Sequence, residues 1–412
     1  MAGVINHEMH TFSIISLTLF FEEQPARMPG TRKNLKASSN TRRNLELFEK
    51  ISNSLIFEEK FTPHLVPPPT HKVRGGRREG GSFRTILFLT IFQVQIKIFA
   101  SMGYFRGFKD LLGLKEVDRD FISTILDQAS IFLEVLDRPN KKLPTLRGKT
   151  VVHMFFEPST RTLSSFDLAA KRLSADTISV GTRGTSVVKG ESLIDTMRNV
   201  DAMKVDLYIV RHSAPGMPHL LARHTKATVI NAGDGTNEHP TQALLDMLTM
   251  RQIFGTFENI KILIIGDILH SRVARSNIFG LSKFGAKIYL AGPPTLVPKE
   301  YKNLGAKIVS NIDDVLDEID VVMALRIQKE RLEEPYFPSI REYRKFFAIT
   351  QERLKRLKPE TVLMHPGPVN WGIELDYEAK DRVQNVILRQ VTNGVAVRMA
   401  ILYLFLVGAQ NE

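Results

Sequence analysis

From Met102 onward, short apolar runs alternate with segments in which apolar residues recur at the spacing of an α-helix. In the first half of that region the runs predict strands at 151–156, 177–180, 207–210 and 228–231. Stretches with helical spacing separate them. The two longest predict helices over 117–136 and 239–254, and the second opens at a proline. This part of the chain therefore predicts a parallel sheet with helical crossovers.

The same alternation restarts after residue 254. Apolar runs predict further strands at 261–267, 287–291, 320–324 and 361–364. Helical spacing over 273–284 follows the first of them. Two successive sets of strand–helix–strand units indicate an α/β protein. We expect two doubly wound parallel-sheet domains joined by interdomain helices.

Residues 1–101 differ from the rest of the chain. The stretch 31–50 is polar and basic, and the prolines and paired glycines between 67 and 81 do not support a packed element. An apolar run over 86–100 is shorter than the ~20 residues that span a bilayer. We expect 1–101 to be an extension of little regular structure, disordered or translated from a wrong start. Its scattered acidic residues disfavour a targeting peptide.

Composition narrows the function by exclusion. The 412 residues include no cysteine, which excludes a disulfide framework, a thiolate metal site and a cysteine nucleophile. The formal net charge of +12 divides equally between 1–101 and the longer remainder, without a dense Lys/Arg run or zinc-finger spacing. We therefore expect a small anionic ligand as the partner, and neither nucleic acid nor a membrane.

The first predicted strand runs into a segment suited to holding a phosphate. Pro158 turns the chain, and three hydroxyl residues and an arginine then open a helix: Ser159, Thr160, Arg161 and Thr162. Free backbone N–H groups and the positive end of the helix dipole attract an anion there. The arginine adds a forked, permanently charged donor.

Charged and polar residues follow the other predicted strands as well. They are Arg211 after 207–210, His239 and Gln242 after 228–231, Arg272 after 261–267, Arg326 after 320–324, and His365-Pro366-Gly367-Pro368 after 361–364. Ligands of parallel sheets lie at the carboxyl ends of the strands, so we expect these residues to converge. Several arginines at one edge predict recognition of more than one anionic group.

Each of these residues also has a plainer structural interpretation. Ser159 would serve as a helix cap, and His239 as an N-terminal helix residue bonded to backbone. Arg272 and Arg326 are as readily surface ion-pair partners, and Lys189 lies in a loop rich in Gly and Thr, where a solvated lysine is the default. No G-x-G-x-x-G or G-x-x-x-x-G-K-S/T motif supports a dinucleotide or a nucleoside triphosphate.

Together these segments resemble the aspartate carbamoyltransferase family, from residue 108 to residue 406. Any one motif is moderately specific, whereas their order and spacing together are very specific. The segments that carry the resemblance are Leu146-Arg147-Gly148-Lys149-Thr150, Phe155-Phe156-Glu157-Pro158-Ser159-Thr160-Arg161-Thr162, Lys189-Gly190-Glu191, Val210-Arg211-His212, His239-Pro240-Thr241-Gln242 with the four residues after it, Gly266-Asp267 with the ten residues after it, Arg326-Ile327-Gln328-Lys329-Glu330-Arg331, and His365-Pro366-Gly367-Pro368.

The resemblance implies a reaction and the residues that perform it. Carbamoyl phosphate and L-aspartate give N-carbamoyl-L-aspartate and phosphate in pyrimidine biosynthesis, with no metal and no organic cofactor. The implied catalytic residues are Arg161, Thr162, Arg211, His239 and Lys189. The implied carbamoyl-phosphate ligands are Ser159, Thr160, Arg161, Thr162, Arg211, His239, Gln242, Gly367 and Pro368. The implied aspartate ligands are Lys189, Arg272, Arg326 and Gln328, with Lys189 reaching in from a neighbouring subunit.

The chain departs from the family's pattern at two places. The family usually has Arg where Leu163 stands and Glu where Asp167 stands. We expect both positions to support the site without touching substrate, so their change bears on fine positioning and not on the reaction. Ahead of Lys189 the family commonly has a serine that contacts phosphate, and here Thr185 takes the aligned position.

The resemblance also implies an architecture and an assembly. A carbamoyl-phosphate domain covers 102–240 with the final helix 391–408, an aspartate domain covers 241–390, and the helix 239–254 crosses between them. We expect a cytoplasmic homotrimer with shared active sites. Some members of the family bind a zinc-containing regulatory chain and others associate with dihydroorotase, and both partners stay open here.

Two other functions remain as alternatives. An ornithine carbamoyltransferase shares the carbamoyl-phosphate site, but its ornithine site resembles His-Cys-Leu-Pro where this chain has His365-Pro366-Gly367-Pro368. Arg272 and Arg326 suit two carboxylates and would repel a cationic side chain, so aspartate is favoured. A catalytically idle scaffold is supported only by Leu163 and the basic extension.

Overall fold

The computed structural model describes residue 105 and residues 107–181, 191–327, 339–382 and 384–407. All of them lie within one unit of the fold, Ile91–Glu412. The extension expected over 1–101 lies outside the described residues.

Four parallel strands form the first sheet, in the order β2-β1-β3-β4. The strands are β1 (Thr150–Phe155), β2 (Asp176–Gly181), β3 (Leu207–His212) and β4 (Thr228–Asp234). The helices of this part are α1 (Arg119–Leu136), α2 (Thr160–Arg172), α3 (Leu193–Asp201) and α4 (Met217–Ala222). The strand order reverses between β1 and β3, which is where parallel sheets bind ligands.

The central strand β1 is buried on both faces, as parallel sheets require. Val151 and Phe155 belong to an apolar cluster that includes α1 and α2, whereas Val152 and Met154 belong to a second cluster that includes α3 and α4. Alternate side chains of a strand point to opposite faces. The continuous apolar run in the sequence is therefore the mark of a strand covered by helices on both sides.

Five parallel strands form the second sheet, in the order β7-β6-β5-β8-β9. They are β5 (Lys261–Ile265), β6 (Lys287–Ala291), β7 (Lys307–Ile308), β8 (Val321–Ala324) and β9 (Val362–Met364). The helices are α5 (Pro240–Phe254), α6 (Arg272–Ser282), α7 (Ile340–Phe347), α8 (Gln351–Arg356) and α9 (Ile387–Val407). Here the order reverses between β5 and β8, so each sheet has its own ligand-binding edge.

Short 3-10 turns complete the second part of the chain. They are Pro294–Leu296, Lys299–Leu304, Ile312–Asp314, Leu316–Glu318 and Tyr377–Lys380. The prediction of two parallel α/β sheets is confirmed. Sequence reasoning missed β7, which has two residues, and the short charged helices α7 and α8. The domain limits at 240 and 390 stay predictions.

Helix α9 is long and apolar enough to cross a membrane by length and composition. It is instead packed inside the protein, with 78% of its apolar window buried. Its neighbours are α1, α2 and α5. Helix α5 is buried on every side from Pro240 to Met250, which explains why it lacks the one-sided pattern of a surface helix. These two buried helices carry polar side chains, among them Gln242 on α5 and Gln390 and Arg398 on α9, to the lining of one cavity.

Candidate active site

A cavity of 770 Å³ lies where the carboxyl ends of both sheets meet. It is lined by residues that follow β1, β3, β5, β8 and β9, together with residues from the start of α5 and from α9. The strand order reverses between β1 and β3 in the first sheet and between β5 and β8 in the second, and all four of these strands lead into the cavity. The cavity is therefore the place at which both folds present their ligand-binding edges.

Every described residue of the predicted site lines this cavity. They are Ser159, Thr160, Arg161, Thr162, Arg211, His239, Gln242, Arg272, Arg326, Gly367 and Pro368. Lys189, Gln328 and Thr185 lie outside the described residues. The roles assigned by resemblance stay predictions. The structure does bring the described residues together around one cavity, as the sequence predicted.

The start of α2 has neither a side-chain cap nor an acidic residue in its first turn. Ser159 holds the N-cap position, and its carbonyl accepts from the Leu163 N–H at 3.1 Å, but its hydroxyl makes no capping hydrogen bond. The first turn of α2 contains no acidic residue. The plain capping role considered for the Ser159 side chain is thus absent, and the hydroxyls and first-turn N–H groups face a shared cavity.

Glu157 holds two of the arginines at this edge. Its Oε1 accepts from Arg211 Nη2 at 2.5 Å and also from Arg272 Nη2, while its Oε2 is 3.4 Å from Arg272 Nη1. All three side chains are at most 10% exposed. A surface ion-pair role for Arg272 is therefore wrong: the pair is buried and lines the cavity.

Gly233 lets the same two arginines approach each other. It has a φ of +115°, and a Cβ there would lie 3.0 Å from both Arg211 Nη1 and the Arg272 guanidinium carbon. Arg211 Nη1 donates to the Ala232 carbonyl at 3.0 Å, which fixes its plane. The glycine in the Ala232-Gly233 turn is thus needed for both its backbone conformation and its lack of a side chain.

Arg161 and Arg326 form a second cationic group that lines the cavity. Burial and the nearby Arg326 charge lower the pKa of Arg161. Gly367, with a φ of +70°, lies against the Arg161 guanidinium, where any Cβ would overlap it. Because Arg161 and Arg326 are both positively charged and line the same cavity, they repel each other, so a bound anion would stabilise the pair.

His365 anchors the segment that contains Gly367. Burial and the charges of Arg161 and Arg326 lower the pKa of His365 to about 3, so the ring is neutral. Its Nδ1 accepts from the Gly367 N–H at 2.7 Å, which places the ring proton on Nε2. The His365 ring thus fixes the conformation of the 365–368 turn through this hydrogen bond.

His239 is a neutral imidazole among three guanidinium groups. Burial, followed by the charges of Arg211, Arg272 and Arg398, lowers the pKa of His239 well below its ordinary value. Its backbone N–H donates to Ser276 Oγ at 2.9 Å, and its Nδ1 has no hydrogen-bond partner among the described residues. His239 is the N-cap of α5, but its ring makes no capping hydrogen bond to the backbone, so the bond considered for this side chain is absent and the ring remains able to serve a ligand.

Five further titratable residues line the cavity and were not assigned roles from the sequence. They are Glu157, Asp267, His270, His365 and Arg398. The first four stood in the quoted motifs without a role. Arg398 Nη1 donates to the Gly394 carbonyl at 3.0 Å, and its guanidinium stacks 4.9 Å above the Phe166 ring. The signal for Arg398 was an arginine inside the otherwise apolar stretch 395–407 of α9, where a buried charge is costly unless it has a partner.

The two departures from the family pattern lie away from the cavity. Leu163 is partly buried against the main apolar cluster. Asp167 accepts from Lys171 Nζ at 2.8 Å and from Thr177 Oγ1 at 2.9 Å. Neither side chain is among the cavity-lining residues. Leu163 and Asp167, the residues that depart from the family pattern, therefore each have packing or hydrogen-bond partners in this chain.

The cavity is strongly cationic. Five arginines line it, against two carboxylates, and one of those carboxylates is committed to Arg211 and Arg272. Within the described ranges, no group of three or more His, Cys, Asp or Glu side chains is arranged to hold a metal ion. Such a site can bind a molecule with several anionic groups, or two anions side by side.

Two regions of the chain match sequence profiles of one family. Residues 109–252 match the aspartate/ornithine carbamoyltransferase carbamoyl-P binding domain, and residues 258–405 match the Asp/Orn binding domain of the same family. Both matches contain cavity-lining residues.

Individual relatives agree with these profiles. The chain is 54% identical over 296 residues to the aspartate carbamoyltransferase catalytic subunit of Syntrophobacter fumaroxidans, covering 72% of this chain and 97% of the relative. It is 55% identical over 301 residues to that of Moorella thermoacetica, covering 73% and 98%. The structure of an aspartate transcarbamoylase from Trypanosoma cruzi with carbamoyl phosphate and aspartate is similar at a TM-score of 0.67 and 29% identity, covering 74% and 98%.

Proposed function

The chain belongs to the aspartate/ornithine carbamoyltransferase family, and from this premise we propose that it carbamoylates L-aspartate. The products are N-carbamoyl-L-aspartate and phosphate, as in de novo pyrimidine biosynthesis. The observation that carries the proposal is the cavity at the meeting edges of the two sheets, where separate arginine groups face one space.

The reaction forms one bond and breaks one bond. The aspartate amine attacks the carbonyl carbon of carbamoyl phosphate, a C–N bond forms, and the C–O bond to phosphate breaks. The departing phosphate can accept the proton that the amine loses. No covalent intermediate with the protein is needed, so the protein's work is to align two anions and to stabilise charge on the carbonyl oxygen.

The phosphate is proposed to bind at the start of α2. Ser159, Thr160 and Thr162 supply hydroxyls there, and Arg161 supplies a guanidinium that already faces a like charge on Arg326. Anion binding relieves that repulsion. The uncapped helix start supports this placement, since its N–H groups have no side-chain acceptor in the helix itself.

The carbonyl oxygen is proposed to accept from Thr162, Arg211 and His239. Because His239 is neutral, its ring still holds one N–H and adds no fourth positive charge beside Arg211, Arg272 and Arg398. A neutral donor in a dry site stabilises developing negative charge without having to give up a proton. Gln242 and the backbone of Gly367 and Pro368 are proposed to orient the carbamoyl amide.

Arg272 and Arg326 are proposed to bind the two carboxylates of aspartate. They lie on different elements of the second sheet, after β5 and β8, and both line the cavity. Ornithine carries a cationic side chain, which an arginine at this place would repel. The site therefore favours a dicarboxylic amino acid as the amine substrate, and Gln328 is proposed to assist it.

An assay of the purified full chain tests the function. Colorimetric detection of the ureido product, with carbamoyl phosphate and either L-aspartate or L-ornithine, should give product with aspartate and at most a trace with ornithine. Faster carbamoylation of ornithine would assign the chain to the other branch of its family. No product with either amine, together with binding of carbamoyl phosphate, would favour the idle scaffold.

We propose further that the protein is a cytoplasmic homotrimer in which Lys189 enters the site of a neighbouring copy. The proposal rests on the family resemblance of the Lys189-Gly190-Glu191 segment. A regulatory chain or a dihydroorotase stays open as an additional partner. Analytical ultracentrifugation of the purified chain tests the trimer, and a monomer with full activity would contradict the shared site.

A further inference from the structure

Helix α5 carries one carboxylate, Asp246, on a stretch that is otherwise largely apolar and fully buried. Three side-chain amides converge on it. Gln242 Nε2 and Gln390 Nε2 lie 3.0 Å and 2.7 Å from Oδ1, and Asn277 Nδ2 lies 2.9 Å from Oδ2. These amides come from α5, α9 and α6, so one carboxylate joins three helices behind the cavity.

The charge state of Asp246 fixes which way each amide faces. Burial raises the pKa of Asp246 to about 6, which leaves the carboxyl mainly ionised at pH 7.5. An ionised carboxylate can only accept hydrogen bonds. Each amide must therefore turn its nitrogen toward Asp246 and its oxygen away.

For Gln242 this orientation leaves Oε1 as the polar atom offered to a ligand. Gln242 lines the cavity, and among the described residues no hydrogen bond engages its Oε1. A carbonyl oxygen in that position accepts from an N–H group. With the amide turned the other way, the site would present an N–H to the ligand instead.

Gln390 gives an independent check on the arrangement. Its Oε1 accepts from the His365 backbone N–H at 3.0 Å, so its nitrogen must face Asp246. His365 begins the 365–368 turn that lines the cavity. Asp246 thus holds both the Gln242 amide and, through Gln390, the start of that turn.

Resting on the proposed function, we propose that Asp246 is a positioning residue that makes the site select a carbamoyl group over an acetyl group. The two groups have nearly the same shape, but the carbamoyl group has N–H donors where the acetyl group has a methyl. A methyl against a fixed, buried carbonyl oxygen leaves that acceptor unpaired. Rejection of the methyl analogue then depends on Asp246 holding Gln242 Oε1 forward.

A pair of stable ligands separates this role from a general loss of structure. Phosphonoacetamide and acetonylphosphonate differ only in NH₂ against CH₃, so phosphonate binding cancels in the ratio of their affinities. Isothermal titration calorimetry on the full chain should give at least about tenfold tighter binding of the amide by wild type. In Asp246→Ala the preference should fall to about threefold or less, with the ketone's affinity within about threefold of wild type.

Two variants control the experiment. Asp246→Asn keeps one oxygen able to accept from Gln242 and Gln390, so most of the preference should return. Thr249→Val removes another buried contact between α5 and α9, the 2.8 Å bond from Asn393 Nδ2, and should leave the preference as in wild type. If Asp246→Ala does not fold, Asp246→Ser takes its place, since a serine hydroxyl stops one bond short of the carboxylate oxygens.

Equal affinity of wild type for the two ligands would overturn the inference without any variant. So would an Asp246→Ala chain that loses affinity for both ligands by the same factor, which is the result of a merely structural role. Calorimetry needs no turnover. A wild type that prefers the amide yet forms no carbamoyl aspartate would refute the proposed function and leave the positioning role standing.

Discussion

The carboxylate of Glu157 forms a buried ion pair with the guanidinium of Arg272, 115 residues further along the chain. Glu157 follows the central strand of the first sheet and Arg272 opens the helix after the central strand of the second. The same carboxylate binds Arg211. One side chain therefore sets the relative position of two arginines and joins the two ligand-binding edges.

Replacement of Glu157 by Gln should weaken both activity and stability. The change leaves Arg211 and Arg272 buried without a countercharge, and breaking a buried pair in this way costs about 3–5 kcal/mol. We expect kcat/KM for aspartate to fall by roughly 10- to 100-fold, since about 1.4 kcal/mol corresponds to tenfold. Steady-state kinetics and urea unfolding measure the two effects. Glu134→Gln, at an exposed site on α1, is the control, and equal behaviour of the two variants would refute the bridge.

A side chain at Gly367 should disable carbamoyl-phosphate binding. In Gly367→Ala the new Cβ overlaps the Arg161 guanidinium and the residue must keep a φ of +70°. Gly305→Ala is a matched control, because Gly305 has a φ of +83° with open space around its Cβ position. Both variants carry a backbone cost of about 1–2 kcal/mol. Only Gly367→Ala should lower kcat/KM for carbamoyl phosphate, by roughly 100-fold or more, and similar kinetics in both would contradict the contact.

His239 should contribute as a neutral donor. His239→Ala removes one of the proposed donors to the carbonyl oxygen, and loss of such a donor costs about 2.7–4 kcal/mol, or roughly 10²- to 10³-fold in kcat. Because the pKa of His239 lies well below its ordinary value, its protonation should not shape activity between pH 6.5 and 8. The pH profiles of kcat for wild type and His239→Ala should therefore run parallel over that interval. If kcat of the wild type changed with pH near 6.5 and this change were absent in His239→Ala, the His239 ring would be shown to titrate in that interval.

His153 should make the protein sensitive to acid. Burial lowers the pKa of His153 to about 4, and neither ring nitrogen has a hydrogen-bond partner among the described residues. Above pH 6.5 the His153 ring is neutral in both the folded and the unfolded protein. As pH falls from 6.5 toward 4 the unfolded state binds the proton first, so the free energy of unfolding falls, by about 3 kcal/mol for this group.

His153→Leu should flatten that dependence and leave kcat unchanged, since the residue is outside the cavity. Urea unfolding at a series of pH values measures it. His224→Leu, at an exposed position, is the control and should keep the wild-type slope. An unaltered slope in His153→Leu would show that other groups govern the acid sensitivity.

Mixed oligomers test the proposed shared site. Lys189→Ala and Arg161→Ala chains should each be nearly inactive. In equimolar trimers reassembled from the two, about a quarter of the sites would combine an intact Arg161 with an intact Lys189 from the neighbour. We expect about that share of wild-type activity after denaturation and refolding of the mixture. Separately refolded chains are the control, and absence of recovery in the mixture would count against a site built from two copies.

Much of the fold could be predicted from local pattern. Strands such as β1 and β5 are largely apolar runs and α5 opens at a proline, so their type and approximate place follow from periodicity and chain-breaking residues. The two-residue strand β7 and the charged helices α7 and α8 were missed because they are too short to show a period. The strand-end rule predicted the convergence of Arg161, Arg211, Arg272 and Arg326. It could not predict Arg398, which lies inside α9.

The amino-acid sequence by itself determined the elements, their order and the chemistry placed at the strand ends, because these depend on residues close together in the chain. Only the tertiary structure decided which groups pair: Glu157 with Arg272 and Arg211, Asp246 with three amides, and Arg398 against Phe166. Such pairings join residues that lie as far apart in the chain as Phe166 and Arg398. They exist because buried helices bring those side chains within reach, which no local pattern encodes, and because a buried charge is stable only beside its partner.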